Sequence, residues 1–176
     1  MHNKQHFMEG MKTIKLKDIL SISGKGGLFR FVAQARNGIV VESLEDQKRH
    51  VAPSTARVSS LEDIAIFTSG EEVPLADIFY MIQQKTDGKA AISHKAAPEE
   101  LKKEFETLVP DYDQDKVYVS DIRKVFHWYN QLQGHNLLEV VDKEEKSATE
   151  EKSGKKENSS KEEDSAPKIG EGEEAT

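Results

Sequence analysis

The spacing of apolar residues changes part-way along the chain. Between residues 12 and 69 they alternate or gather in short runs, and from residue 75 they recur every three or four positions. The first pattern predicts short strands and the second predicts helices. Residues 28–34 and 39–44 are rich in strand formers and flank Asn37-Gly38. That dipeptide suits a two-residue hairpin turn, in which both central residues take positive φ. Placing Arg36 opposite Ile39 pairs Ala35 with Val40, Ala33 with Glu42 and Phe31 with Leu44. Phe29, Phe31, Ala33, Ala35, Val40 and Leu44 then share one buried face, with Glu42 as the exception. A further strand is expected over residues 48–52, stopped by Pro53, and a last one over 64–68, after a helical turn capped by Ser59 or Ser60. Residues 18–22 fit either a helical turn or a first strand.

In the second half, Pro74 suits a first helical position ahead of Leu75, Ile78, Phe79 and Ile82. Pro98 opens a second helix with Leu101, Phe105 and Leu108 inward and Pro110 beyond it. Ser120 is the expected cap of a third, with Ile122, Val125, Phe126 and Tyr129 as its stripe and Gly134 as its stop. Leu137, Leu138, Val140 and Val141 form a short apolar end that packs back. The fold expected is therefore α+β. A small SH3-like or Sm-like β-barrel over residues 11–69 leads to a domain of about three helices over 70–141. Residues 1–10 read as a disordered extension, with Met11 as an alternative start. Residues 142–176, rich in Lys, Glu and Ser, read as a disordered acidic tail that cannot bury enough surface to offset its ordering entropy.

Charge refines this division. The full chain of 176 residues carries a net −7, yet residues 11–69 are +3, residues 70–141 are −5 and residues 142–176 are −5. Among the cations of the β half, Lys25, Arg30, Arg36, Lys48, Arg49 and Arg57 are the candidate contacts for a nucleic acid or another anion. The competing interpretation is an ordinary solvated surface interrupted by Glu42, Glu45 and Asp46. The chain has no cysteine, so disulfides, thiol nucleophiles and cysteine metal sites are excluded. Its longest apolar runs fall far short of the roughly 18 residues of a membrane helix.

Three local motifs invite chemistry. Gly24-Lys25-Gly26-Gly27 lacks the Ser/Thr and the following helix of a phosphate loop, and a glycine turn feeding a strand explains it. Asp111, Asp113 and Asp115 open like a calcium loop, but Lys116 stands where glycine is needed and Ile122 where a bidentate Glu belongs. His127 and Trp128, the latter the single tryptophan, lie at the edge of the third helix's stripe and are the candidate protein contacts. A Gly-x-Ser-x-Gly elbow is absent, and His50, His94, His127 and His135 are scattered over separate elements without zinc-pair spacing. The expectation is thus a non-enzymatic cytoplasmic interaction or adaptor module with a protein partner, needing no cofactor, metal or membrane. The alternative is an RNA- or DNA-binding accessory protein using the basic residues, and an enzyme is the weakest option.

Longer strings carry a resemblance. Residues 16–25, with Leu16-Lys17-Asp18-Ile19-Leu20, then Gly27-Leu28-Phe29 and Val41-Glu42-Ser43-Leu44, resemble the opening of a two-part family of unknown function from Bacteroidetes-type bacteria. Residues 59–68, Glu72-Val73-Pro74-Leu75, Pro110-Asp111-Tyr112-Asp113, residues 117–124 and Trp128-Tyr129-Asn130 continue it. The resemblance spans roughly residues 11–138. It implies a β-barrel-like part followed by a helical part, and it transfers no site residue.

Overall fold

The structure is a computed structural model and describes residues 12–142. The two expected disordered ends, 1–10 and most of 142–176, lie outside those residues. The chain is α+β. Strand β1 (Lys12–Ile14) is followed by β2 (Ile19–Ile22), β3 (Phe29–Ala35), β4 (Gly38–Ser43), β5 (Arg49–Pro53) and β6 (Val58–Ser60). A 3-10 turn (Leu61–Asp63), the short strands β7 (Ala65–Ile66) and β8 (Val73–Pro74), and helices α1 (Leu75–Thr86), α2 (Pro98–Leu108) and α3 (Val119–Gly134) come next, then β9 (Val140–Asp142).

Strands β2 to β6 form one antiparallel sheet in the order β5-β4-β3-β2-β6, with β5 and β6 as separate edges, so no closed barrel forms among the described residues. The SH3-like or Sm-like detail is accordingly not established. The expected last strand at residues 64–68 stands apart from this sheet: β7 pairs only with β8 in a two-stranded ribbon. The fifth strand of the sheet is instead β6, before the 3-10 turn. Ser60 caps that turn through its hydroxyl, which accepts from the Glu62 N–H.

The β3–β4 hairpin departs from the expected register. Ala35 faces Gly38, Gln34 faces Ile39 and Ala33 faces Val40; beyond a bulge at Val32, Phe31 faces Val41, Arg30 faces Glu42 and Phe29 faces Ser43. Gly38 is therefore the first residue of β4 and not part of the turn, and neither Arg36 nor Asn37 takes a positive φ. The cause lies on the next strand. A Cβ on Gly38 would sit 2.0 Å from the Ala52 carbonyl oxygen, so the close approach of β5 claims the glycine. The bulge reverses side-chain parity along β3. As a result Phe29 and Val41 are buried, Ala33 is exposed and Phe31 is 36% exposed. Glu42 leaves the interior and pairs with Arg49 at 3.4 Å on the outer face, which removes the exception in the expected face.

The helices follow their apolar stripes closely. Leu75, Ile78, Phe79 and Ile82 of α1, Leu101, Phe105 and Leu108 of α2, and Ile122, Val125, Phe126 and Tyr129 of α3 are all buried. Their ends differ in detail. Pro74 is the residue before α1, not its first. Helix α3 starts at Val119 ahead of Ser120, and the Asp121 carboxylate accepts from the Tyr118 N–H at 3.2 Å. At the far end Asn136, not Gly134, takes the left-handed conformation, with φ 55°. The Leu137 N–H then reaches back to the Leu132 carbonyl at 2.9 Å, a Schellman closure.

Two apolar clusters result. The larger joins the helices to Ile14, Leu16, Ile19, Leu28, Leu44, Leu61 and Ile66. The smaller is internal to the sheet and consists of Ile22, Phe29, Val41 and Ala52. The apolar end does pack back: β9 pairs with β1 in the register Thr13 to Val141, a strand at the chain's start that the sequence pattern left unassigned.

Candidate functional site

An open apolar cleft lies between the β7 segment and α3. Ile64, Ile66, Phe67 and Leu75 form one wall of a cleft of about 260 Å³, and Val117, Val125 and Trp128 form the other. Lys116 and Lys124 stand at the rim. Each is partnered within its own turn, Lys116 with Asp113 at 3.4 Å and Lys124 with Asp121 at 3.2 Å. The Lys116 ammonium also sits 5.1 Å from the centre of the Phe67 ring. Phe67 is 43% exposed at the lip, while Trp128 is half-buried against the larger cluster. Asp113 closes its own turn. Its carboxylate accepts from the Asp115 and Lys116 N–H groups, and these bonds together with Lys116 hold its pKa below the usual carboxylate value despite partial desolvation. No cluster of three or more metal-ligating side chains occurs among the described residues.

His127 belongs to a different neighbourhood from Trp128. Its ring lies 4.3 Å from that of His94, on the connection between α1 and α2. That connection is strapped along α3. Tyr129 donates to the Lys89 carbonyl at 3.2 Å, and Asn130 accepts from the Ala91 N–H at 2.7 Å while donating to the carbonyls of Ala91 and Ile92. Replacing Asn130 by Ala strands a half-buried N–H and is expected to cost about 1–3 kcal/mol. Chemical denaturation measures that loss, and hydrogen exchange should show it concentrated at residues 89–97.

The six candidate cations of the β half do not converge on one patch. Arg30 and Arg49 flank Glu42 in one cross-strand row. Lys48 pairs with Asp46 at 3.4 Å. Lys25 lies 6.0 Å from the Phe29 ring, and Arg57 precedes β6, where its carbonyl accepts from Ser23. Arg36 sits in the β3–β4 turn, at the opposite end of the sheet from Lys25 and Lys48. The glycine run serves packing. Gly27 is buried with φ 77°, a Cβ there would meet the Gln131 amide at 2.9 Å, and the next N–H, of Leu28, donates to Gln131 Oε1 at 2.9 Å. This turn thereby docks the sheet onto α3.

Comparison with known proteins follows the same two-part division. Residues 16–61 match a family described as a domain of unknown function, DUF5606, and residues 64–132 match another, DUF6852. A Bacteroides vulgatus protein, solved by solution NMR as a structural genomics target, is 40% identical. The match covers 71% of this chain and 90% of that one, with a TM-score of 0.60. The chain belongs to that two-domain family. The search of curated proteins gave no match.

Within this family member, several residues of interest carry no local sequence signal. Phe67 reads as an ordinary strand residue, and its exposure follows from β7 leaving the main sheet. His94 gains meaning only from its contact with His127, and Asn130 only from the backbone it holds. Among the described residues no helix is long and apolar enough to cross a membrane.

Proposed function

We propose that this protein is a non-enzymatic, cytoplasmic interaction module of Bacteroides-type bacteria that holds a segment of a protein partner in the cleft between β7 and α3. The observation that carries this is Phe67, a large apolar ring 43% exposed at the lip of an apolar cleft backed by Trp128. Contiguous apolar surface of this kind is costly to leave in water and is typical of contact sites. The rim lysines are already ion-paired, so shape and apolar area would dominate over charge. In the same proposal the sheet is an opened relative of small SH3-like barrels, since four meandering strands are joined by a fifth beside the first. The cleft uses Trp128 of the expected pair of protein contacts and not His127.

The single tryptophan makes the test direct. A partner captured from ribonuclease-treated lysate and identified would be titrated against the purified chain while Trp128 emission is followed. A saturable change is expected, weakened at least about ten-fold by Phe67→Asp, the effect of losing one contact worth roughly 1.4 kcal/mol or more. Phe67 is preferable to Trp128 as the target because its exposed ring contributes less to the core. Equal binding by the Phe67→Asp protein, or associated material that vanishes with ribonuclease, would overturn the proposal.

A further inference from the structure

A second site lies on another face of α3. Arg123 and His127 are one turn apart on α3 and project to the same side. The strapped α1–α2 connection brings His94 against His127 and carries Lys95 next to it. None of these four side chains forms an ion pair or hydrogen bond with a described side chain. Arg123 is half-buried and has no ion-pair partner among the described residues, and this in a chain of net charge −7. Burial holds the pKa of His94 below its ordinary 6.5, and the nearby His127, Lys95 and Arg123 add to that effect in this order. The first turn of α2 brings the exposed Glu99 and Glu100 close in sequence, but no carboxylate is among the groups acting on His94.

We propose that His94, Lys95, Arg123 and His127 form an anion site that takes the phosphate group of a small ligand. Two cations beside two imidazoles, with no carboxylate among the groups acting on His94, favour an anion that shares the cluster. A phosphate group fits best. It offers several acceptor oxygens to a guanidinium fork, an ammonium and two imidazoles, whereas a carboxylate offers two oxygens and a single charge. A nucleic-acid backbone fits poorly, because residues 70–141, which carry the site, have a net charge of −5 that repels a polyanion. Binding favours the charged form of His94, so it raises a pKa that is low in the free protein and draws a proton onto that imidazole.

The test is a titration of the full chain with inorganic phosphate at constant ionic strength and about pH 6.5, following imidazole signals by NMR. His94→Asn and His127→Asn assign the two signals. Saturable shifts of both, with a Kd on the order of 1 mM, are expected. Arg123→Gln and Lys95→Gln should each weaken binding about ten-fold, the loss of one charge-assisted hydrogen bond. Adenosine monophosphate forms a second arm. Binding of both ligands supports a site for phosphate esters, and binding of orthophosphate alone supports a site for the free ion. Drift without saturation below about 50 mM, as general ionic screening gives, overturns the proposal. So does unchanged affinity in both the Arg123→Gln and Lys95→Gln proteins. Because both positions lie outside the core, folded variants are available to report either result.

Discussion

Replacing Phe105 by Ala is expected to remove about 3–5 kcal/mol of stability, the largest single-site loss among the helices. Helix α2 buries only Leu101, Phe105 and Leu108, and Phe105 is fully buried at the centre of that stripe. Its ring meets Tyr112 edge-on at 5.1 Å and Phe126 at 6.3 Å, so truncation empties the contact between α2, the loop after it and α3. A small domain holds about 5–15 kcal/mol in total. The variant should therefore unfold at a much lower urea concentration with an unchanged slope. Function should follow stability here, because α2 begins directly after the connection that carries His94 and Lys95. A loss below about 1 kcal/mol would show that the neighbouring rings close the cavity, which the edge-on geometry argues against.

The same stripe explains why the helical half was legible in the sequence. A helical face is a local property: Leu75, Ile78, Phe79 and Ile82 declare themselves within eight residues, and all are buried. Strand pairing is not local. Asn37-Gly38 satisfies the sequence rule for a hairpin turn, yet the structure uses Gly38 against Ala52, on a strand whose approach nothing at Gly38 announces. The β1–β9 pair joins Ile14 to Val140, the two extremes of the described chain, and three-residue strands carry too little pattern to find one another. Helix ends failed more mildly, because Ser120 and Gly134 are good terminal residues standing beside the positions that Tyr118 and Asn136 occupy.

Candidate sites were legible to the degree that one residue type carried them. Trp128 was singled out for being large and amphipathic, and it does line the cleft. The even spacing of Arg30 and Arg36 puts them on one face of a regular strand with Lys48 and Arg49 on the next, but the bulge at Val32 breaks that parity, and Arg36 and Lys48 sit at opposite ends of β4. The cluster around His94 shows the reverse case. Its members come from a connection and a helix distant in sequence, and hydrogen bonds from Tyr129 and Asn130 to the backbone of that connection bring them together.

Gly38→Ala is expected to damage the sheet while leaving the helices intact. The glycine has φ 154°, and its missing Cβ would lie 2.0 Å from the Ala52 oxygen and 2.9 Å from Pro53 Cα. These are backbone atoms, so no side-chain rotation relieves the clash. Strand β5 is an edge, and its withdrawal is the cheapest escape. Withdrawal breaks the Gly38–Pro53 and Ile39–Ala52 pairs and pulls Ala52 from the four-residue cluster inside the sheet. Local strain of this kind costs roughly 1–3 kcal/mol, and the lost packing adds to it. The larger cluster contains no residue of β3, β4 or β5. Hydrogen exchange should therefore accelerate at residues 38–53 while α3 amides and Trp128 emission stay as in the parent protein. Gly26→Ala provides the control, since a Cβ there meets nothing within 4 Å. Unaltered exchange in β5 would mean that the sheet absorbs the methyl by another movement. Acceleration spreading into α3 would mean that the two clusters unfold as one unit, held together through the Leu28–Gln131 bond and not separable as their composition implies.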